Sequence, residues 1–554
     1  MRFLPLIFLF LLFVPALFSC HNKKVSSEVA MADTLLIEPD SINANYIDSN
    51  AVHQFFEEFP SLKKESNLVF KFYQKRNFQY AWFDNKGLIE QARLFVNLAD
   101  NYNAEGIEDT VIYEALLEKW QEHFNDSTVT IDSLAPKMEV MLTAQFFQYA
   151  QRIWGGISES QTKDLDWYIK RKRLPYISLL DSMLTRPGFF SGQTPVYKQY
   201  DSLKKWLQYY HSIEGVATWD SIYPEKKKYE KGDSSPVIVE IRKRLFWLKD
   251  ISAADTINAR FDTTLLKAMK VFQQTHGLSA DGTIGQQTID HLNIPLANRI
   301  EQIIINMERC RWVPFQPQDE YITVNIPEYV MRVYDNDTLA WSCNVVVGEN
   351  TKQTVIFNGN LQYVVFSPYW VIPPGILRNE TLPASKKNSN YINKQNMEVV
   401  GSDGKAIDPE TIDWKKYNGK NFPYKIRQKP GASNSLGKVK FLFPNEYNIY
   451  LHDTPSKSLF KESKRNFSHG CIRVSEPKKL AEFLLRNDST WTPDKIEASM
   501  QSGKEKYVTL KEPVPVFIGY LTCFVDSKGH LNFRDDIYGH DDRLAKTLFK
   551  DPAL

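Results

Sequence analysis

Tyr450-Leu451-His452-Asp453-Thr454-Pro455 and Ser468-His469-Gly470-Cys471-Ile472-Arg473-Val474, with a 15-residue gap between His452 and Ser468, form the stretch on which the reading turns. Ile449 and Leu451 fall on one face of an extended segment, Tyr450 and His452 on the other. The imidazole is therefore expected at a strand end, facing away from the core. A thiol is an effective nucleophile only as thiolate, and free Cys titrates at about 8.5, so a neighbouring imidazole is needed to take its proton. Gly470 permits close backbone approach, and the amides of Gly470 and Cys471 together offer an oxyanion hole. Arg473 is a permanent cation placed to grip a carboxylate. Pro477, Leu480, Phe483 and Leu484 then mark a helix.

Taken singly, these residues have plainer readings. A Cys beside a Gly is usually a small buried hydrophobe. A zinc site needs more than His452, His469 and Cys471, which lack a clear fourth ligand. The pair 19 residues apart, with Arg473 and the following helix, favours a nucleophile and its base.

Outward from this stretch the period stays at two back to about residue 318. Ile322, Val324 and Ile326 alternate, and Val330 to Tyr334 runs into Asp335-Asn336-Asp337, a hairpin turn signal. Val345 to Gly348, Leu361 to Phe366, Lys440 to Phe443 and Tyr447 to His452 continue the pattern. Between Pro374 and Lys440 the chain is rich in Asn, Lys, Gly and Pro. A stretch this long inside a domain predicts a weakly structured lid over a cleft.

The chain before 318 is helical. Leu88, Ala92, Phe95 and Leu98 recur at helical spacing, as do Leu142, Phe146 and Tyr149, and dense aromatics such as Tyr73, Trp82, Phe147 and Trp167 read as core. Gly215, Pro224, Lys226-Lys227-Lys228 and Gly232 to Pro236 mark a charged linker. Three helix signatures follow. The first carries Val237, Ile241, Leu245 and Leu248; the second, capped by Asp262, carries Leu265, Ala268, Met269 and Phe272. The third opens at Asp281-Gly282-Thr283-Ile284-Gly285-Gln286, with Thr283 and Gln286 as a capping box. The stretch Phe272 to Gly285 resembles a peptidoglycan-binding module, in which His276 reads as a surface or packing residue. Ile300, Ile303, Ile304 and Met307 then give a long amphipathic helix returning to the first helical region.

With 554 residues, about three or four domains are expected. A hydrophobic content of 43% with 24% charged residues excludes long-range disorder. A net charge of +2 offers no strong field for holding a nucleic acid, and five cysteines exclude a disulfide framework. Met1-Arg2, an apolar run of 16 residues from Phe3 to Phe18 and Ser19-Cys20 describe an export signal, too short for a bilayer span of about 20 residues. Leu17-Phe18-Ser19-Cys20 resembles a bacterial lipobox, which implies lipidation at Cys20; an ordinary signal peptide is the alternative. Both lead out of the cytoplasm.

His452, the gap and Ser-His-Gly-Cys resemble the signature of L,D-transpeptidases with a YkuD-type catalytic domain. Tyr369 to Pro373, Lys429 to Gly437, Phe443-Pro444-Asn445, Pro513 to Val516 and Phe533 to Gly539 resemble their large multidomain branch. The fold implied is multidomain α+β: a helical scaffold with an inserted three-helix peptidoglycan-binding bundle, then a mainly-β catalytic domain with a long lid insertion. The implied map is a signal over 1–20, a tether over 21–50, the scaffold over 51–232 and the module over 233–296. The returning helix takes 297–317, the catalytic domain 318–500 with its lid at about 375–440, and a C-terminal segment packed on that domain 501–554. The resemblance makes Cys471 the nucleophile, His452 the proton acceptor and donor, and Gly470 an oxyanion donor. It places Ser468, His469, Arg473, Tyr450, Asp453 and Trp370 against substrate. It implies no metal or organic cofactor, no nucleic acid, peptidoglycan stem peptides and glycan as partners, membrane contact through a lipid anchor alone, and carbapenem-type β-lactams as inhibitors. A hydrolase using the same thioester, and a non-catalytic wall-binding scaffold in the cell envelope, are the rival readings.

Overall fold

Alternating apolar residues from 320 onward bury one face of each strand, and the strands close on themselves. In the computed structural model, residues 45–99, 102–107, 113–125, 131–171, 173–186, 195–313 and 320–549 are described. Cys20 and the apolar run before it lie outside them. The strands are β1 (Trp167–Tyr168), β2 (Glu320–Asn325), β3 (Val330–Asp335), β4 (Thr338–Gly348), β5 (Ile356–Phe366), β6 (Val439–Leu442), β7 (Leu451–His452), β8 (Asn466–Ser468), β9 (Ile472–Val474) and β10 (Lys506–Gly519). Their order is β6-β7-β9-β4-β3-β2-β10-β5, and β5 pairs again with β6, which joins eight strands in a ring; β8 pairs with β4 and β1 with β5. A closed ring leaves few free edges. Its core holds Val324, Met331, Val345, Val364, Phe441, Leu451, Ile472 and Val516, all buried.

The predicted turn closes the β3–β4 hairpin with Asn336 and Asp337 at φ 48° and 55°, the left-handed pair that a tight two-residue turn requires. The stretch set aside by sequence as a C-terminal segment contains β10, the longest strand, lying between β2 and β5. Its ladder breaks between Thr509 and Val514, around Pro513, because proline has no N–H to give.

The helical part has its own core, including Tyr73, Trp82, Phe146, Phe147 and Leu203. Here Leu88 is not helical. It sits in a two-residue strand after Gly87 (φ 110°), and the helix begins at Glu90. Helix α1 (Leu296–Trp312) serves two cores: Ile300, Ile303, Met307 and Cys310 face the helical core, and Ile305 and Trp312 face the barrel. At its end Glu308 accepts the N–H of Ile157 (2.7 Å) and the indole N–H of Trp312 (2.8 Å), and pairs with Arg311 at 2.7 Å. Gly156 allows this. A Cβ there would meet the Glu308 Oε1 at 2.2 Å. Cys523, Leu531 and Phe533, past the last barrel strand, pack into the helical core as well.

The bundle between them has helices at Pro236–Trp247, Thr263–Thr275 and Gln286–Leu292 around one small core. Asp262 caps the second by accepting the N–H of Leu265 at 2.9 Å. The predicted capping box at the third does not form: Gly285 is its N-cap, and Thr283 instead gives its carbonyl to the buried side chain of Gln273. His276 is buried, its ring stacked on Phe272 at 3.9 Å.

The lid differs most from expectation. It is a folded unit with a four-stranded sheet (370–371, 425–428, 397–400, 406–407) and a core of Ile372, Leu382, Ile392, Val399, Trp414 and Ile426. Strands of two to four residues are too short to show a period, which is why polar loop residues dominate the sequence there.

Candidate active site

Cys471 sits in the tight turn between β8 and β9, and His452 ends β7, which runs parallel to β9. The ladder pairs Leu451 with Ile472 and His452 with Arg473. Cys471 thus lies two residues before Arg473, the partner of His452, and its neighbour across the strands is Tyr450. Both cross-strand partners belong to one rigid sheet, so side chains on them are well fixed.

The turn is held by a network. Gly470 adopts φ 112°, a conformation that suits glycine. Its carbonyl accepts from the Thr354 hydroxyl at 2.8 Å, which in turn accepts the N–H of Gly348 at 2.8 Å. The Tyr538 hydroxyl donates to the carbonyl of Gly348 at 2.6 Å and accepts the N–H of Thr354 at 3.2 Å. The Ser468 hydroxyl donates to the carbonyl of Cys471 at 2.6 Å and accepts the N–H of Gly470 at 3.1 Å.

Two sequence expectations change here. The Gly470 amide, expected as an oxyanion donor, is taken by Ser468. Ser468 itself, expected against substrate, is 2% exposed and spends its hydroxyl inside the turn.

His452 faces away from the barrel core, as alternation predicts, but is buried rather than open at a strand end. Its Nδ1 lies 2.5 Å from the carbonyl oxygen of Asp453, so Nδ1 carries the proton and Nε2 is the free base. Burial, and then the charge of Arg473, push its pKa down to about 4. Burial also raises the Cys471 thiol, while the N–H and hydroxyl of Tyr450 and the charge of Arg473 pull it back. The resting pair is therefore neutral. The thiol here points to the carbonyl of Asn448, at 3.6 Å.

The Tyr450 hydroxyl lies beside the thiol and Trp370; burial, first, and the sulfur then raise its pKa far above the usual phenol value. Arg473 is half-buried, its Nε has no hydrogen-bond partner, and burial lowers its pKa. A guanidinium with an unspent fork in a site is suited to an incoming carboxylate.

Asp453 departs from its expected place against substrate. It is buried and accepts from the N–H of Thr454 (2.7 Å), the N–H of Lys438 (2.8 Å) and the ammonium of Lys457 (2.6 Å), which occupies both oxygens. His469 points to the lid, with Nε2 2.9 Å from Oε1 of Glu380.

Thr354, Asn448 and Glu380 were not singled out by sequence. Thr354 and Asn448 act through one hydroxyl and one carbonyl, and Glu380 lies 89 residues from its partner in a stretch without period. No group of three or more His, Cys, Asp or Glu able to hold a metal occurs among the described residues.

Residues 319–514 match the family model "L,D-transpeptidase catalytic domain", residues 67–207 the model "Scaffold domain" and residues 234–292 the model "Putative peptidoglycan binding domain". A "Putative L,D-transpeptidase" of Haemophilus influenzae is 34% identical over 272 residues, which is 48% of this chain and 54% of that protein. The match thus spans about half the length of that curated relative. Among solved structures, an L,D-transpeptidase from Stackebrandtia nassauensis is 12% identical over 54% of this chain and 98% of its own, with a TM-score of 0.23. An LD transpeptidase in complex with imipenem is 13% identical over 36% of this chain and 59% of its own, with a TM-score of 0.18. Scores this low leave the assignment to the sequence matches and to the site. The chain is homologous to that L,D-transpeptidase and carries a YkuD L,D-transpeptidase catalytic domain, a scaffold domain and a peptidoglycan-binding domain.

Proposed function

We propose that the chain is a peptidoglycan L,D-transpeptidase that forms 3–3 cross-links with Cys471 as nucleophile and His452 as base and acid. The observation that carries this reading is the pairing of β7 with β9, which sets an imidazole with a free Nε2 two residues along the ladder from a thiol in a rigid turn.

As His452 Nε2 takes the thiol proton, sulfur bonds to the carbonyl carbon of the third stem residue. The Cys471 N–H and the Tyr450 hydroxyl are the donors assigned to the oxyanion, since the Gly470 amide is engaged. The C–N bond to D-alanine breaks, and its nitrogen leaves with the proton from Nε2, giving a thioester. The side-chain amine of a diamino acid on a neighbouring stem then attacks. Its proton passes to Nε2, the C–S bond breaks, and the thiol is reprotonated. Arg473 holds a substrate carboxylate, and Trp370 positions the Tyr450 hydroxyl. This chemistry calls on no metal or organic cofactor. A carbapenem presents the same kind of acyl carbon and is expected to acylate Cys471.

The remaining parts fit an envelope enzyme: export through the first 20 residues, a lipid anchor at Cys20, and the module holding the wall. Among the described residues no helix is long and apolar enough to cross a membrane.

The deciding experiment is mass spectrometry of residues 21–554 incubated with disaccharide-tetrapeptide. A Cys471-dependent dimer lighter by one D-alanine is the expected product. Cys471-dependent tripeptide without dimer replaces transfer by hydrolysis. No Cys471-dependent product overturns the catalytic reading in favour of a wall-binding scaffold.

A further inference from the structure

The lid concentrates charge. Residues 375–440 contain 13 Lys and Arg against 6 Asp and Glu, a net +7, whereas the whole chain carries +2. Much of this excess converges on contacting segments. The side chain of Arg378 lies under Gly419, where a Cβ would come within 2.5 Å of its Cγ. The helix Leu382–Lys387, ending in Lys386 and Lys387, packs against the turn Trp414–Lys416. Arg378, Lys386, Lys387, Lys415, Lys416 and Lys420 are all exposed.

Among the described residues, the ion pairs of this stretch engage other groups: Lys405 with Asp403, Arg427 and Lys429 with Glu398, Lys440 with Glu505, and Glu380 with His469 and Lys352. Asp413, beside the cluster, is directed to the backbone N–H of Lys415 at 3.2 Å. A face kept only for solubility mixes both signs. This one leaves six cations without carboxylate partners.

Its position matters as much as its sign. Arg378 is two residues from Glu380, which is 2.9 Å from His469, itself two residues from Cys471. The cluster therefore begins at the rim of the cleft. Lysine ammoniums are compact, flexible point charges without a fixed fork, suited to a repeating anion more than to one small ligand.

We propose that this cluster docks the carboxylate-rich stem peptides of a peptidoglycan strand, holding the polymer beside the cleft while one stem enters it. The identity of the polymer rests on the function proposed above. Each stem that is not cross-linked ends in a free carboxylate, so a strand is a polyanion whose charges repeat.

The test reads binding, not turnover, and so stands whether or not the transferase reading does. Residues 21–554 carrying Cys471→Ala are sedimented with purified sacculi, with and without Lys386→Gln, Lys387→Gln, Lys415→Gln, Lys416→Gln and Lys420→Gln together. At about 0.05 M salt the neutralised protein is expected to bind at least about threefold more weakly, and at about 0.5 M salt the two are expected to converge. Sacculi whose carboxylates have been amidated are expected to bind both proteins alike. The corresponding Lys→Arg protein, equally charged, is expected to keep full binding, and equal melting temperatures exclude a folding defect. Equal binding of charged and neutralised proteins to native sacculi at low salt overturns the proposal. So does an undiminished difference between them on amidated sacculi.

Discussion

The Nδ1 of His452 lies 2.5 Å from the carbonyl oxygen of Asp453, and that one contact decides which nitrogen faces the chemistry. The imidazole must be neutral to accept the thiol proton, and its pKa is held down to about 4. A base with a lowered pKa loses function only when pH falls through that lowered value. The acid limb of kcat/KM for stem-peptide turnover is therefore expected near pH 4, not near the usual 6.5 of histidine. A limb at pH 6 or above counts against His452 as the base in this neutral pair.

The same shift is a statement about stability. Histidine in the unfolded chain titrates at about 6.5, and folded His452 at about 4, so the folded state resists protonation. Its contribution is complete above pH 6.5 and lost as pH falls from 6.5 towards 4, about 3 kcal/mol in all and about 2 kcal/mol by pH 5. Denaturant unfolding at pH 7 and pH 5 measures this. His452→Gln is expected to lose less stability over that interval than the parent. His540, also held at about 4, titrates in the same window in both proteins and cancels from the comparison.

The residues proposed to carry covalent chemistry were singled out in the sequence because they lie in one short, ordered stretch. Period two placed Ile449 and Leu451 inward and Tyr450 and His452 outward, and the barrel keeps that alternation. What was not legible were contacts made by backbone atoms and distant hydroxyls. The competition of Ser468 for the Gly470 amide, the Thr354–Gly470 bond and the burial of Asp453 depend on how β4, β8 and the 437–438 turn meet in space. The folded state of the 375–440 stretch was not legible for a related reason. Its core is made of single apolar residues such as Trp414 and Ile426 spread among loops, so no window of sequence shows a face.

Gly437 is the clearest case of a backbone requirement invisible beforehand. It sits at φ 60°, and a Cβ there would come within 2.3 Å of the Asp453 Oδ2. That oxygen is fixed by the N–H of Lys438, and the other by Thr454 and Lys457, so it cannot move away cheaply. Gly437→Ala is expected to cost at least about 2 kcal/mol, strain and displaced carboxylate together. Gly375→Ala, where nothing stands within 4 Å of the added Cβ and φ is not in the left-handed region, is expected to be nearly neutral. Comparable melting temperatures for the two variants refute the account given for Gly437.

Ser468 tests whether the turn's internal bonds, and not only its two reactive groups, set the rate. One hydroxyl ties the Cys471 carbonyl to the Gly470 amide, and it contacts no solvent of consequence at 2% exposure. Ser468→Ala removes both bonds and adds no bulk, leaving the sulfur on a turn free to drift. A displacement near 1 Å at a reacting atom costs on the order of 100-fold. Ser468→Ala is accordingly expected to lower kcat by about 10-fold to 100-fold with KM changed by less than about threefold, because Arg473, proposed to hold the substrate, lies on β9 and is untouched. Ser468→Cys, a weaker donor of similar size, is expected to fall between the two. If KM rises and kcat holds, Ser468 contacts substrate after all, and the turn takes its rigidity from Thr354 and Tyr538.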